Sequence, residues 1–166
     1  MTVAGAATHT TTVDRAALTF TMERVFAAPR ERVFAALSTC EALSRWFAPA
    51  PWTVAICDLD FRVGGTWRYC MKGPDGTEGW GVQVFEEIVP PERIVAVDSF
   101  ADAAGNIRSD RPSQRFRYDL FEVAGGTRLV NTVSYERVED LQIVLDMGME
   151  QGAMVAWDQL EAVLAP

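Results

Sequence analysis

The sequence of 166 residues contains a single histidine, His9, in an N-terminal stretch rich in Thr, Ala and Gly. This composition predicts a flexible, unfolded tail over residues 1–16, followed by a single folded domain over residues 17–166. A domain without histidine excludes a Ser-His-Asp triad, a Cys-His pair and a histidine-ligated zinc site. Any chemistry would have to use carboxylates, tyrosines or other side chains, and we expect neither a metal nor a cofactor.

Cysteines are few, and long apolar runs are missing. Cys40, Cys57 and Cys70 are odd in number, widely spaced and outside any CxxC motif, which argues against a disulfide framework or a zinc site. We interpret them as packing thiols. No apolar run approaches the ~18 residues that a membrane helix needs, and the N-terminus lacks the charged-then-apolar order of a signal peptide. These absences predict a cytoplasmic protein.

Basic residues are outnumbered by acidic ones. The chain has 15 Lys and Arg against 23 Asp and Glu, which gives a formal net charge of -8. Nucleic acids and anionic membranes both require a cationic face, so we expect neither as a partner. With 49% hydrophobic residues, the chain can build one real core.

Strand-like patterns dominate the chain. Alternating or strand-forming segments predict seven strands, over residues 18–27, 53–59, 66–72, 78–89, 93–100, 114–123 and 127–135. Two short helices are predicted after the first strand, the first opened by Pro29 and the second over residues 41–47. Gly79 and Gly81 predict a bulge or strong curvature in their strand. Helical periodicity predicts one long amphipathic helix over residues 138–164.

The order of these segments predicts the fold class. Connections of hairpin length exclude a parallel sheet, so we expect an α+β fold in which a curved antiparallel sheet holds the long helix. Gly148 and Gly152 lie one turn apart on the apolar stripe of that helix and predict a close approach to its backbone. We therefore expect a pocket between sheet and helix. The polar loop 101–113 is either a lid over that pocket or a plain surface insertion.

Seven motifs, spread over nearly the whole domain, resemble one known superfamily. They are APRERVFAAL at 28–37, LSRWF at 43–47, DFRVGGTW at 60–67, GPDG at 73–76, EEIVPPERIV at 86–95, GGTRL at 125–129 and GMEQG at 148–152. The chain thus resembles the SRPBCC (START or Bet v 1-like) superfamily, and within it the bacterial homologues of activators of the heat-shock protein 90 ATPase.

The resemblance implies a fold but no reaction. It implies a helix-grip fold, in which a seven-stranded antiparallel sheet wraps around the C-terminal helix and encloses a hydrophobic cavity. The superfamily includes lipid carriers, hormone receptors, polyketide cyclases and co-chaperone domains, and it shares no catalytic motif that transfers to this chain.

The inward strand faces supply candidate ligand-binding residues. An apolar pocket with a few polar groups is typical of small-molecule sites. The candidates are Trp67, Tyr69, Met71, Phe116, Tyr118, Asn131, Val133, Tyr135 and Met149. The same residues could instead form a dry core. Asn131 lies among apolar neighbours, so we expect its amide to have partners, either in the protein or in a ligand.

Carboxylates offer the remaining acid–base route. Asp98 or Glu78 could face inward and would then have a raised pKa, although an exposed or ion-paired role is favoured for both. We expect the protein to bind a small hydrophobic or aromatic ligand in an internal cavity, as a carrier, sensor or sequestering protein. The alternatives are a polyketide cyclase- or dehydratase-like enzyme that uses a cavity Tyr and a carboxylate, and a co-chaperone that stimulates a chaperone ATPase. A homodimer is left open.

Overall fold

The structure is a computed structural model and describes residues 9–166. Its elements, in chain order, are β1 (His9–Asp14), β2 (Thr19–Phe26), α1 (Arg30–Ser38), α2 (Cys40–Trp46), β3 (Thr53–Leu59), β4 (Thr66–Lys72), β5 (Glu78–Val89), β6 (Arg93–Ala101), β7 (Gln114–Val123), β8 (Gly126–Ser134), α3 (Val138–Asp146) and α4 (Met149–Leu164). The fold is α+β, as predicted, and the seven predicted strands all form within one or two residues of their expected bounds.

All strands belong to one antiparallel sheet with the order β1-β2-β8-β7-β6-β5-β4-β3. One face of the sheet packs against the helices around a continuous core. Buried members of that core include Phe20, Met22 and Phe26 of β2, Leu129 and Val133 of β8, and Trp157 and Leu160 of α4. Because every other residue of a strand points to the same face, the alternating apolar positions of these strands gather on the helix side.

The sheet has eight strands rather than the predicted seven. The extra strand, β1, pairs with β2 and lies within the predicted tail, so the expectation of an unfolded tail is wrong for residues 9–14. Residues 1–8 lie outside the described residues. The Arg24 Nε donates to the His9 Nδ1 at 2.9 Å, and the Thr11 hydroxyl donates to a Glu150 carboxylate oxygen at 2.7 Å. These long-range contacts hold a segment whose local composition does not predict a strand.

The single long helix predicted over residues 138–164 is two helices. Gly148 separates α3 from α4 and has a φ of 83°, in the left-handed region, which an α-helix cannot continue through. The close approach expected at Gly152 is not tight. A Cβ built there would meet the Pro49 Cγ at 3.7 Å, an ordinary contact. Gly148 is therefore required by its backbone conformation, whereas Gly152 is not.

This difference predicts opposite effects for two identical substitutions. We expect Gly148→Ala to destabilise the protein by about 1–2 kcal/mol, because alanine in the left-handed region places its Cβ against the following carbonyl oxygen. We expect Gly152→Ala to stabilise it by roughly 0.5–1 kcal/mol, since alanine is the better helix former. Urea unfolding of both variants measures this, and effects of equal sign and size would contradict it.

The cysteine prediction is wrong for two of the three residues. Cys40, at the start of α2, and Cys57, in β3, form a disulfide with a Cα–Cα distance of 5.8 Å, whereas Cys70 is a buried free thiol, as predicted. The packing of α2 against β3 brings the pair together, which their spacing in sequence does not reveal. Disulfides are uncommon in cytosolic proteins, so this bond gives no support to the predicted cytoplasmic location. That location stays a prediction. None of the helices within residues 9–166 is long and apolar enough to cross a membrane.

Candidate ligand-binding cavity

A cavity of about 420 Å³ lies between the sheet and the C-terminal helices. Its wall is formed by residues of β4 to β8 on one side and by residues from α2, the α3–α4 junction and α4 on the other. Seven of the nine predicted pocket residues line it, namely Tyr69, Met71, Phe116, Tyr118, Asn131, Val133 and Met149. They lie together because the inward positions of β4, β7 and β8 face the start of α4.

The other two predicted residues lie next to the cavity. The buried Trp67 packs its ring 4.7 Å from that of Phe47 and 4.6 Å from that of Tyr69. The Tyr135 hydroxyl donates to the Gln114 Oε1 at 2.6 Å and contacts the Met149 sulfur at 3.2 Å. Both residues therefore support cavity-lining side chains, and neither lines the cavity itself.

Asp98 is the carboxylate of the cavity. Its Oδ1 accepts a hydrogen bond from the Tyr69 hydroxyl at 2.8 Å, and its Oδ2 accepts one from the Gln114 Nε2 at 3.2 Å. The exposed or ion-paired role favoured from the sequence is thus wrong for Asp98. It holds for Glu78, which is exposed and accepts a hydrogen bond from the Trp80 Nε1.

Burial raises the pKa of the titratable groups around Asp98. Burial raises the pKa of Asp98 from 3.8 to about 6, and the hydrogen bonds from Tyr69 and Gln114 counteract only part of that rise. The pKa of Tyr69 is well above its ordinary value because the phenol is buried and its anion would face the Asp98 charge. The same two causes raise the pKa of Tyr118 and Tyr135. Near neutral pH these tyrosines stay protonated, and Asp98 can change its charge.

Gly81 provides the space that Tyr69 needs to reach Asp98. It lies opposite Tyr69 in the β4–β5 ladder, and a Cβ built on it would overlap the Tyr69 ring. A bulge or strong curvature is predicted at Gly79 and Gly81, and the ladder with β4 runs through both glycines without a shift in register, so no bulge forms there. The shift in register of β5 lies further along, between Phe85 and Glu87. The glycine at 81 therefore makes room for a side chain of the neighbouring strand.

Asn131 holds a hydrogen-bond acceptor without a partner. Its Oδ1 is buried and receives no hydrogen bond from any of residues 9–166. A buried acceptor left unpaired costs about 1–3 kcal/mol. Partners for this amide are predicted from the sequence, in the protein or in a ligand, and the described residues supply none to its oxygen. Asn131 belongs to the lining of the cavity, and its acceptor is unsatisfied.

Pro112 connects the cavity to the loop expected to be either a lid or an insertion. Ala101 extends β6 into this segment and pairs with Ile107, and Pro112 lines the cavity. Met147, at the α3–α4 junction, also lines the cavity and is 53% exposed, so this junction faces both the cavity and solvent. Whether the loop closes over a ligand stays a prediction.

Several lining residues are absent from the predicted set, although the sequence carries a usable signal for one of them. Gln114 shares the strand face of Phe116 and Tyr118, so the same alternation predicts it. Asp98 was ambiguous because both faces of its strand are apolar. Trp157 and Trp46 belong to helices whose rotation relative to the sheet is a tertiary property, and no local pattern assigns them to the cavity.

The comparisons with known proteins agree with this architecture. The family model described as "Activator of Hsp90 ATPase homolog 1-like protein" matches residues 27–165. The crystal structure of protein Ms6760 from Mycobacterium smegmatis is 33% identical, with a TM-score of 0.88, covering 96% of this chain and 98% of the other. The solution structure of a protein from Arthrobacter aurescens is 32% identical, with a TM-score of 0.86, covering 93% and 90%. No functionally curated protein shows significant sequence similarity to the chain.

Proposed function

The chain belongs to the Activator of Hsp90 ATPase homolog 1-like family, with the helix-grip fold of the SRPBCC superfamily, and on that basis we propose that it binds a small hydrophobic or aromatic molecule in its cavity. The observation that carries this proposal is the cavity of about 420 Å³, which is mostly apolar and contains a polar group, Asp98, together with an unpaired acceptor, Asn131 Oδ1. Small-molecule sites are typically concave and apolar, span roughly 300–1,000 Å³, and place a few polar groups that orient the ligand.

Aromatic side chains hold the cavity walls in place. The Phe47 ring lies 5.1 Å from the Tyr69 ring, and the Phe116 ring lies 5.0 Å from the Tyr118 ring, both in edge-to-face arrangements. Such pairs add about 0.5–1.5 kcal/mol beyond the area that they bury. Walls fixed in this way support binding because a preformed cavity spends little free energy on ordering side chains around a ligand.

A thermal-shift screen of the full chain tests the proposal. The panel contains neutral, cationic and anionic aromatic compounds. A compound at a hundred times its dissociation constant should stabilise the protein by roughly 2.7 kcal/mol, which is a shift of several degrees. Native mass spectrometry should then show a one-to-one complex. No shift across the whole panel, with no co-purified mass, would overturn the proposal.

Gly152→Leu is expected to block the cavity without weakening the fold. Gly152 lines the cavity from α4, a Cβ built on it makes only an ordinary contact with Pro49, and leucine is a better helix former than glycine. We expect the affinity for a panel compound to fall about tenfold or more, with stability unchanged or higher. Isothermal titration measures the affinity. Gln151→Leu, an exposed position on the same helix, is the matched control. Unchanged affinity in Gly152→Leu would argue against binding in this cavity.

Asp98 also supports a second candidate, an acid–base enzyme of the cyclase or dehydratase kind. A carboxyl with a pKa of about 6 is suited to proton transfer near neutral pH, and Tyr69 orients it. An enzyme should lose turnover in Asp98→Asn while it still binds its substrate. The co-chaperone alternative has the family description as its only support, and a chaperone ATPase assay in the presence of the full chain tests it.

A further inference from the structure

We propose that the molecule held in the cavity carries a protonated amine, which binds the Asp98 carboxylate while its apolar body lies among the aromatic rings. This inference rests on the proposed function, which it narrows to one class of ligand. Three observations carry it: the missing counter-charge of Asp98, the aromatic surroundings of the cavity and the second free acceptor at Asn131.

Asp98 differs from the other shielded carboxylates of the chain. Asp119 has a side chain that is 16% exposed and contacts two guanidinium groups, Arg93 at 3.0 Å and Arg117 at 2.7 Å. Asp140 has a side chain that is 11% exposed and contacts Arg137 at 2.8 Å. Asp98 receives hydrogen bonds only from neutral groups among the described residues. Buried charges in proteins are normally paired, so the cavity is left to supply the cation.

The groups around Asp98 contain no positive charge of their own. Tyr69 of β4, Gln83 of β5 and Gln114 of β7 face this part of the cavity, and Tyr135, the residue after β8, hydrogen-bonds to Gln114. Tyr118 lies further along β7, and the Asp98 charge still contributes to the raised pKa of its phenol. No Lys, Arg or His of residues 9–166 lines the cavity. The exposed Arg111 lies 5.8 Å from the ring centre of the lining residue Phe100. An ammonium group would therefore enter a site in which the Asp98 carboxylate is the charged lining group.

Aromatic rings favour a cation over a neutral head group. The rings of Phe47, Tyr69, Phe116, Tyr118 and Trp157 line the cavity, and the face of such a ring attracts a cation within about 6 Å. Asp98 pairs with Gln114 of β7, and Asn131 pairs with Tyr118 of the same strand. Gln114 and Tyr118 are four residues apart, so the two levels of the cavity are separated by about 13 Å along β7. The ligand can thus place its amine at Asp98 and a hydroxyl or N–H donor at the other level of the cavity.

Three probes of one shape test the inference on the full chain. Tyramine carries the ammonium group, tyrosol replaces it with a hydroxyl, and 4-hydroxyphenylacetate replaces it with a carboxylate. By isothermal titration at pH 8, we expect tyramine to bind about ten- to a hundredfold more tightly than tyrosol, the ratio typical of a charge-assisted hydrogen bond. We expect 4-hydroxyphenylacetate to bind more weakly than tyrosol.

Two further readouts assign the preference to Asp98. Asp98→Asn should lower the tyramine affinity to that of tyrosol, whereas Asp58→Asn, whose side chain is 71% exposed, should leave it unchanged. In the wild-type chain, tyramine affinity should fall about tenfold between pH 8 and pH 5, because Asp98 then binds a proton, and tyrosol affinity should stay constant. The pH profile needs no variant, so it decides the matter if Asp98→Asn does not fold.

The possible failures are distinguishable. Tyrosol binding as tightly as tyramine would overturn the amine and leave the proposed function standing. Tighter binding of tyramine with no effect of Asp98→Asn and no pH dependence would overturn the role of Asp98. Failure of every aromatic compound to bind would overturn the proposed function and the amine together.

Discussion

At pH 8, the Asp98→Asn variant is expected to unfold at a higher temperature than the wild-type chain, whereas at pH 4 the two should differ little. The folded state raises the pKa of Asp98 from 3.8 to about 6, so it binds the proton more tightly than the unfolded state does. Wild-type stability therefore falls as the pH rises from about 4 to about 6, and the loss is complete above the folded-state pKa. The difference between the two pKa values lowers the free energy of unfolding by about 3 kcal/mol once Asp98 is charged.

The asparagine recovers only part of this free energy. Its Oδ1 still accepts from the Tyr69 hydroxyl, but its amide group offers Gln114 a donor where the carboxylate offered an acceptor. Losing that hydrogen bond costs about 1 kcal/mol. A net gain of about 2 kcal/mol remains, which raises the melting temperature by roughly 4–8 °C in a domain of this size.

Thermal unfolding between pH 4 and pH 8 measures this difference. Asp58→Asn, which removes an exposed carboxylate, should follow the wild-type profile and serves as the control for net charge. A variant at Asp98 that melts below the wild type at pH 8, or that keeps the wild-type slope between pH 4 and pH 6, would show that Asp98 is not held in an unfavourable charged state.

Gly81→Ala is expected to destabilise the protein by about 1–3 kcal/mol, the usual cost of overpacking a tightly packed site. The added methyl group would overlap the Tyr69 ring, so Tyr69 must move away from Asp98. Without this overlap, alanine would stabilise the protein by about 0.4–1 kcal/mol relative to glycine, because it lowers the conformational entropy of the unfolded chain. The steric overlap outweighs that gain.

Gly79→Ala is the matched control for this prediction. Gly79 lies in the same strand, two residues earlier and on the same face, and a Cβ built on it would meet only the Met71 carbonyl oxygen at 3.8 Å. We expect its stability to stay within about 0.5 kcal/mol of the wild type or to rise. Urea unfolding compares the two variants. Equal effects at both positions would mean that Tyr69 does not require the glycine.

Local patterns predicted most of the sheet, because strand alternation and hairpin residues are local properties. The elements that escaped prediction depend on distant contacts or on one backbone angle. β1 is held by contacts such as Thr11 with Glu150, which are 139 residues apart. The break at Gly148 leaves the apolar stripe continuous on both sides, so periodicity cannot detect it. The Cys40–Cys57 disulfide follows from the packing of α2 on β3.

The cavity could be predicted in outline because its lining follows the inward positions of β4, β7 and β8. Trp67 shares a strand face with Tyr69 and Met71 and, like Tyr69, packs against Phe47. It nevertheless lies beside the cavity rather than in its wall, a difference that depends on where α2 lies. Asp98 shares a face with Ile94 and Ala96, but Val95 on the opposite face is also buried. Only the pairing of Asp98 with Gln83 and Gln114 assigns it to the cavity side.

The most direct test of whether Asp98 recognises a ligand in the cavity is a carbon-13 NMR titration of its carboxyl. The titration is carried out on the full chain, both free and saturated with tyramine. The free chain should give a pKa of about 6 for Asp98, and bound tyramine should lower that pKa because its ammonium group stabilises the carboxylate. A carboxyl that titrates near 4 in the free chain, and that saturation with tyramine leaves unmoved, would contradict both the shielding of Asp98 and its role in binding.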